Sequence, residues 1–174
     1  SSIINKIDNE VSGGVWRIDF GRDCFSNYDL IINIVVPNIE DITMSGAGNI
    51  AVGSFENQND LSLNLSGSGA IVTDAFGGCE HLSVNLSGSG TIRGESEFPD
   101  LKTTDINISG SGNYRGFPVS MDECDVNISG SGNCELSVRQ KLDVRISGSG
   151  TVSYRGNPVI TTNITGSGSV VDAN

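Results

Sequence analysis

Three aspartates, Asp105, Asp125 and Asp143, recur at steps of 20 and 18 residues, and two residues after each stands Asn107, Asn127 or Arg145. Asn64, Asn85 and Asn163 extend the second set at similar spacing. Carboxylates repeated in this way do one of three things. They stand solvated, they hold a cation such as Ca²⁺, or they divide acid and base roles as in polysaccharide-cleaving enzymes. If the chain stacks these positions on layers about 4.8 Å apart, the aspartates repel one another unless water, Arg145 or a cation screens them. Enzymes of that kind assemble acids and basic groups in a groove framed by long loops, and about 20 residues per repeat leaves little room for one. The reading taken is a solvated polar face, with no catalytic residue, no metal ligand and no cofactor assigned.

The remaining reactive types are few. His81 is the only histidine, and its neighbours Glu80 and Leu82 place it at the start of a strand, where a surface role outweighs that of a catalytic base. Cys24, Cys79, Cys124 and Cys134 lack the close pairing of a zinc or thioredoxin-type motif. The glycine-rich "SGSG" phrase could cradle a phosphate only where a strand runs into a helix. Here it recurs seven times with no helical pattern after it. A calcium-binding β-roll needs a nine-residue period and an aspartate after the last glycine, and neither is present. Five Asn-X-Ser/Thr sequons, at Asn64, Asn85, Asn107, Asn127 and Asn163, are by-products of the repeat.

The elements that must position these residues are set by that repeat. The first glycine of each motif falls at 46, 67, 88, 110, 130, 148 and 166, and fourteen of the 23 glycines belong to the seven copies. Two residues before that glycine stand Met44, Leu65, Leu86, Ile108, Ile128, Ile146 and Ile164. Four before it are Ile42, Leu63, Val84, Ile106, Val126, Val144 and Thr162. Six before and four after, the columns are again apolar, apart from Glu40 and Thr104, and they place Cys124 and Cys134 in the interior. The positions between are polar: the Asp/Ser, the Asn and the Ser columns. Alternation of period two is a strand with one buried face. About twenty residues is too short for a four-stranded propeller blade and suits one coil of two or three short strands. The expected fold is all-β, a right-handed parallel β-helix of about seven ~20-residue coils. It is read as a single domain over 1–174, with an N-terminal strand region over 1–38 feeding coils over 39–174.

Composition removes several functions. With 36% hydrophobic and 18% charged residues the chain is too apolar for disorder. A formal charge of −11 would repel a phosphate backbone, so nucleic acid is not a partner. The longest apolar run, "LIINIVVP" at 30–37, is strand-sized, so no membrane span is expected. The chain opens on Ser1 with no methionine and no signal peptide in view, which suits a processed or trimmed chain.

The segments "IINKIDNEVSGGVWRIDF" (3–20) and "VVPNIEDITMSGAGNIAV" (35–52), with the recurring "ISGSGN", resemble the head GIN domain family of bacterial auto-transporter adhesins. The resemblance covers essentially the whole chain, and "VPNIEDITMSGAGNI" (36–50) is its most specific part. It implies a right-handed β-helix, export to the bacterial cell envelope or beyond, and adhesion. It carries no catalytic residue. Family members usually have a signal sequence and an opening strand before the part matching Ile3, so this chain is expected to start inside the first coil. The leading reading is a non-enzymatic surface domain binding through its flat polar face, made by Asn64, Asn85, Asn107, Asn127, Asn163, Asp105, Asp125, Asp143 and Arg145. Its expected partner is a glycan or another surface protein, with self-association through the coil ends. Two alternatives stay open: a carbohydrate-active enzyme on the same scaffold, and a purely structural envelope module.

Overall fold

The computed structural model describes residues 11–18 and 31–174. The chain divides into two compact units, 1–35 and 36–174. In the first, Val11–Ser12 and Val15–Trp16 form an antiparallel hairpin. Gly13 and Gly14 turn it at φ +60° and +79°, the two positive angles that a two-residue hairpin turn needs to match strand twist.

The second unit is a parallel β-solenoid of about seven turns, and no helix occurs among the described residues. One side of each coil is a strand that ends on the first motif glycine: Asp41–Gly46, Asp60–Gly67, His81–Gly88 and Thr103–Gly110. The side continues through the long strands Asn113–Gly130 and Asn133–Gly148 to Val159–Gly166. A second side follows each corner, as in Asn49–Val52, Ala70–Thr73 and Thr91–Gly94. Every step pairs motif glycine with motif glycine, from Gly46↔Gly67 to Gly148↔Gly166.

Burial follows the parity expected from the sequence. The columns two and four before the glycine point inward, and Leu65, Leu86, Ile108, Ile128, Val84, Ile106 and Val126 are all buried. In the last coil the same column opens, and Ile164 is 38% exposed. The interior also holds polar atoms. The Thr104 Oγ1 and Tyr114 hydroxyl are buried without a partner, and Cys124 and Cys134 are buried free thiols. Burial pushes both thiols and the Tyr114 phenol up, so they stay protonated in the core. Cys79 is likewise a buried free thiol, donating to the His81 carbonyl at 3.4 Å. Cys24 lies outside the described residues.

The third side carries the length variation. Registers on the first two sides hold from coil to coil, so the shortening of the repeat from 22 to 18 residues falls between the second strand and the next first strand. In the early coils Phe55, Phe76 and Phe98 stack there, with ring centroids 5.4 and 5.1 Å apart. Later, Arg139 ties this side together, donating to Asp122 at 2.7 Å and to the Leu101 carbonyl at 3.1 Å. At the start of the solenoid the buried Gln58 side chain accepts from the Ile39 amide at 3.0 Å, so that backbone donor is satisfied.

The motif glycines are needed for two different reasons. Gly130 has φ +125°, and a Cβ there would also run into the Gly110 carbonyl oxygen of the coil before. Gly112, the second glycine of its motif, has no positive φ, but a Cβ would collide with the Leu86 side chain. The first glycine turns the corner, and the second leaves room for an aliphatic of the preceding coil.

Candidate functional site

The residues singled out from the sequence stand on the outer face of the first side, in three parallel rows. Side chains alternate along a strand, so when Ile128 points inward, Asn127 and Ser129 point outward. Strict register then places Asn64, Asn85, Asn107 and Asn127 beside one another on successive coils. Their amides form a hydrogen-bonded row. Asn127 Nδ2 donates to Asn107 Oδ1 at 3.3 Å, Asn107 to Asn85 at 3.2 Å and Asn85 to Asn64 at 3.0 Å. Asn64 ends the row by donating to the Asp41 carboxylate at 2.9 Å.

All four amides point the same way, so their dipoles add. The N–H end meets the negative Asp41, and the next register position beyond Asn127 is the positive Arg145. Each charge matches the dipole end it faces, the same logic that places acids at helix N-termini. Arg145 also separates Asn163 from the row, since it lies between Asn127 and Asn163 in register.

Asp105, Asp125 and Asp143 are in register on three consecutive coils. Cations of the chain itself meet two of them. Lys141 Nζ lies 2.6 Å from Asp143, and Arg145 lies 3.8 Å from Asp125. The hydrogen bond from Lys141, followed by one from Thr161, holds the Asp143 carboxyl below the usual carboxylate range. That is the opposite of the raised pKa a general acid requires. Among the described residues, no three His, Cys, Asp or Glu side chains converge as a metal site. His81 is exposed at the head of its strand and bonds the Thr103 hydroxyl.

A shallow, open strip runs along this face. Between the Asn and Ser rows the intervening residue turns inward, so no side chain stands above the backbone there. The result is an open groove of about 680 Å³ running from Thr43 to Thr165, with the Asn row on one rim and the Ser row on the other. Carbon dominates its floor, while amides and hydroxyls stand along its edges. Seven rungs at about 4.8 Å give it a length of roughly 30 Å. The sequence reading missed a second, smaller cleft around Arg115 and Phe117.

The sequence profile of the family described as "Putative auto-transporter adhesin, head GIN domain" matches residues 1–158. The chain belongs to the head GIN domain family. Three solved structures share this solenoid fold. A "putative lipid binding protein" from Parabacteroides distasonis is 31% identical, with a TM-score of 0.65 over 77% of this chain and 53% of its own. A "putative adhesin" from Parabacteroides merdae is 20% identical, with a TM-score of 0.62 over 78% of this chain and 64% of its own. A "putative adhesin" from Parabacteroides distasonis is 20% identical, with a TM-score of 0.58 over 76% and 63%. This chain therefore spans about half to two thirds of the length of those three solved proteins. No curated protein matches it.

Proposed function

We propose that this chain is an exported, non-enzymatic surface domain that holds an extended ligand along the Asn–Ser groove. The observation that carries the reading is the strict register of the rows, which repeats one donor–acceptor set over the four coils from Asn64 to Asn127. An extended glycan suits it: the carbon floor accepts the C–H faces of sugar rings, and the rims meet their hydroxyls. Each contact is weak, about 1 kcal/mol net for a hydrogen bond, so strength comes from repetition and multivalent display. The groove contains no aromatic ring, and affinity per site is expected in the millimolar range. The family's description as an adhesin supports both the surface location and the binding role.

The carbon floor favours one further occupant, an acyl chain, and one structural relative is described as a lipid binding protein. A multivalent glycan array, run beside a fluorescent fatty-acid titration, separates the two. The comparison is wild type against the triple variant Asn85→Lys, Asn107→Lys, Asn127→Lys. Glycan binding that the triple variant loses supports the proposal. Saturable fatty-acid binding without glycan binding moves the ligand class to lipid. Equal glycan binding by both proteins, or no binding of either probe, leaves the groove as a solubility surface.

A further inference from the structure

On the second side of the solenoid, well away from the Asn row in each coil, Arg93 and Arg115 are register partners on adjacent coils, followed in the same column by Glu135. Two like charges one rung apart repel. Arg93 is neutralised by an ion pair with Glu95. Arg115 is exposed and has neither an ion pair nor a side-chain hydrogen bond among the described residues. Its guanidinium is therefore open to a ligand.

Beside it lies a cleft of about 350 Å³, whose walls include both arginines, both glutamates, Phe117 and Pro118. Arg155 lies over the Phe117 ring, 4.2 Å from its centroid, and the Phe117 carbonyl accepts from Ser137 at 2.7 Å. These contacts hold the ring in place at the edge of the cleft. The cleft is shallow and open to solvent, so a sugar ring there would lie against it on one side.

We infer that this cleft binds an acidic saccharide, a hexuronic acid residue, with Arg115 taking its carboxylate. A guanidinium fork matches a carboxylate with two parallel hydrogen bonds. Phe117 and Pro118 offer the apolar wall against which a pyranose C–H face packs, which the Asn–Ser groove lacks. Glu95 and Glu135 accept hydrogen bonds from ring hydroxyls. Inorganic phosphate has no carbon face for Phe117 and Pro118 and few hydroxyls for the two carboxylates, so it is disfavoured. The ligand is thus a sugar that gives one carboxylate to Arg115 and ring hydroxyls to the two glutamates. This site is separate from the groove and does not depend on it.

The test is isothermal titration of the whole chain at low salt with a galacturonic acid trimer, a neutral galactose trimer and inorganic phosphate, repeated for Arg115→Gln and for the triple Asn→Lys variant. Thermal melts check that each variant is folded. The expected result is binding of the galacturonate trimer at least tenfold tighter than either other probe. Arg115→Gln should lose that preference, and the triple variant should keep it. Binding of the acidic and neutral trimers alike, tighter binding of phosphate, or no binding of any probe overturns the inference. So does galacturonate binding that the triple variant loses and Arg115→Gln keeps, because that result places the acidic sugar in the groove.

Discussion

The first and third sides of the same coils obey different rules. On the first side, every residue from the interior column to the corner glycine keeps its register through all seven motifs. On the third side, lengths vary, an aromatic stack in the early coils gives way to shorter turns, and an arginine clamp closes the later ones. The difference lies in what each side must satisfy. A parallel ladder with one buried face has a single acceptable register, because a slip of one residue turns every aliphatic outward. A turn on the outside of a coil needs only to return the chain to the next rung, and added length costs little entropy.

The largest effect should come from reversing polarity on the first side. Ile128→Asp places an unpaired carboxylate in a buried column, costs several kcal/mol, and should prevent folding at 37 °C. Asn127→Asp, one residue away on the outer face, should shift stability by only about 0.5 kcal/mol. Circular dichroism melts of the two variants check this, and equal melting temperatures would mean that the inward and outward parity is reversed.

Next comes the corner. Gly130→Val combines a left-handed backbone with a Cβ aimed at the Gly110 carbonyl, and should destabilise by about 2 kcal/mol or more. Urea unfolding measures the loss, and a change below about 0.5 kcal/mol would show that the corner can relax into another conformation.

The smallest effect should be on the third side. A Gly-Ser insertion between the exposed Pro99 and Asp100 should cost about 1 kcal/mol or less. The same insertion between Ile128 and Ser129 should abolish cooperative unfolding, since it moves the corner out of phase with both neighbours. Similar melts for the two insertions would erase the distinction between the sides.

What could be read from the sequence follows this division. The inward columns were legible because period two over seven aligned copies leaves one parity, and they placed Cys124 and Cys134 inside. The aromatic stack was legible in principle, since Phe55, Phe76 and Phe98 follow their motif glycines by 9, 9 and 10 residues, but the columns were not followed that far from the motif. The hairpin at Gly13–Gly14 also had its signal, two glycines between short alternating segments. The Lys141–Asp143 pair could have been found from parity alone, since residues two apart share a face. Three features depended on coordinates. The size of the groove could not be read from parity alone, and the Arg115 cleft combines second-side residues of three coils with Phe117 and Pro118. The distinction between the two glycines of each motif depended on dihedral angles and on the Leu86 methyl above Gly112.

The coil-to-coil bonds also decide how the solenoid answers to mechanical force. From Ser68 to Ser167, a motif serine amide donates to the carbonyl of the first glycine on the coil before, at 2.8–3.0 Å. These bonds and the strand ladders run along the axis, so tension between residues 36 and 174 loads one rung at a time. The unit should peel coil by coil and not yield as a whole. Each step frees about 20 residues, roughly 70 Å of chain at ~3.4 Å per residue. A solenoid built this way lengthens under load while the remaining coils keep their rows in register.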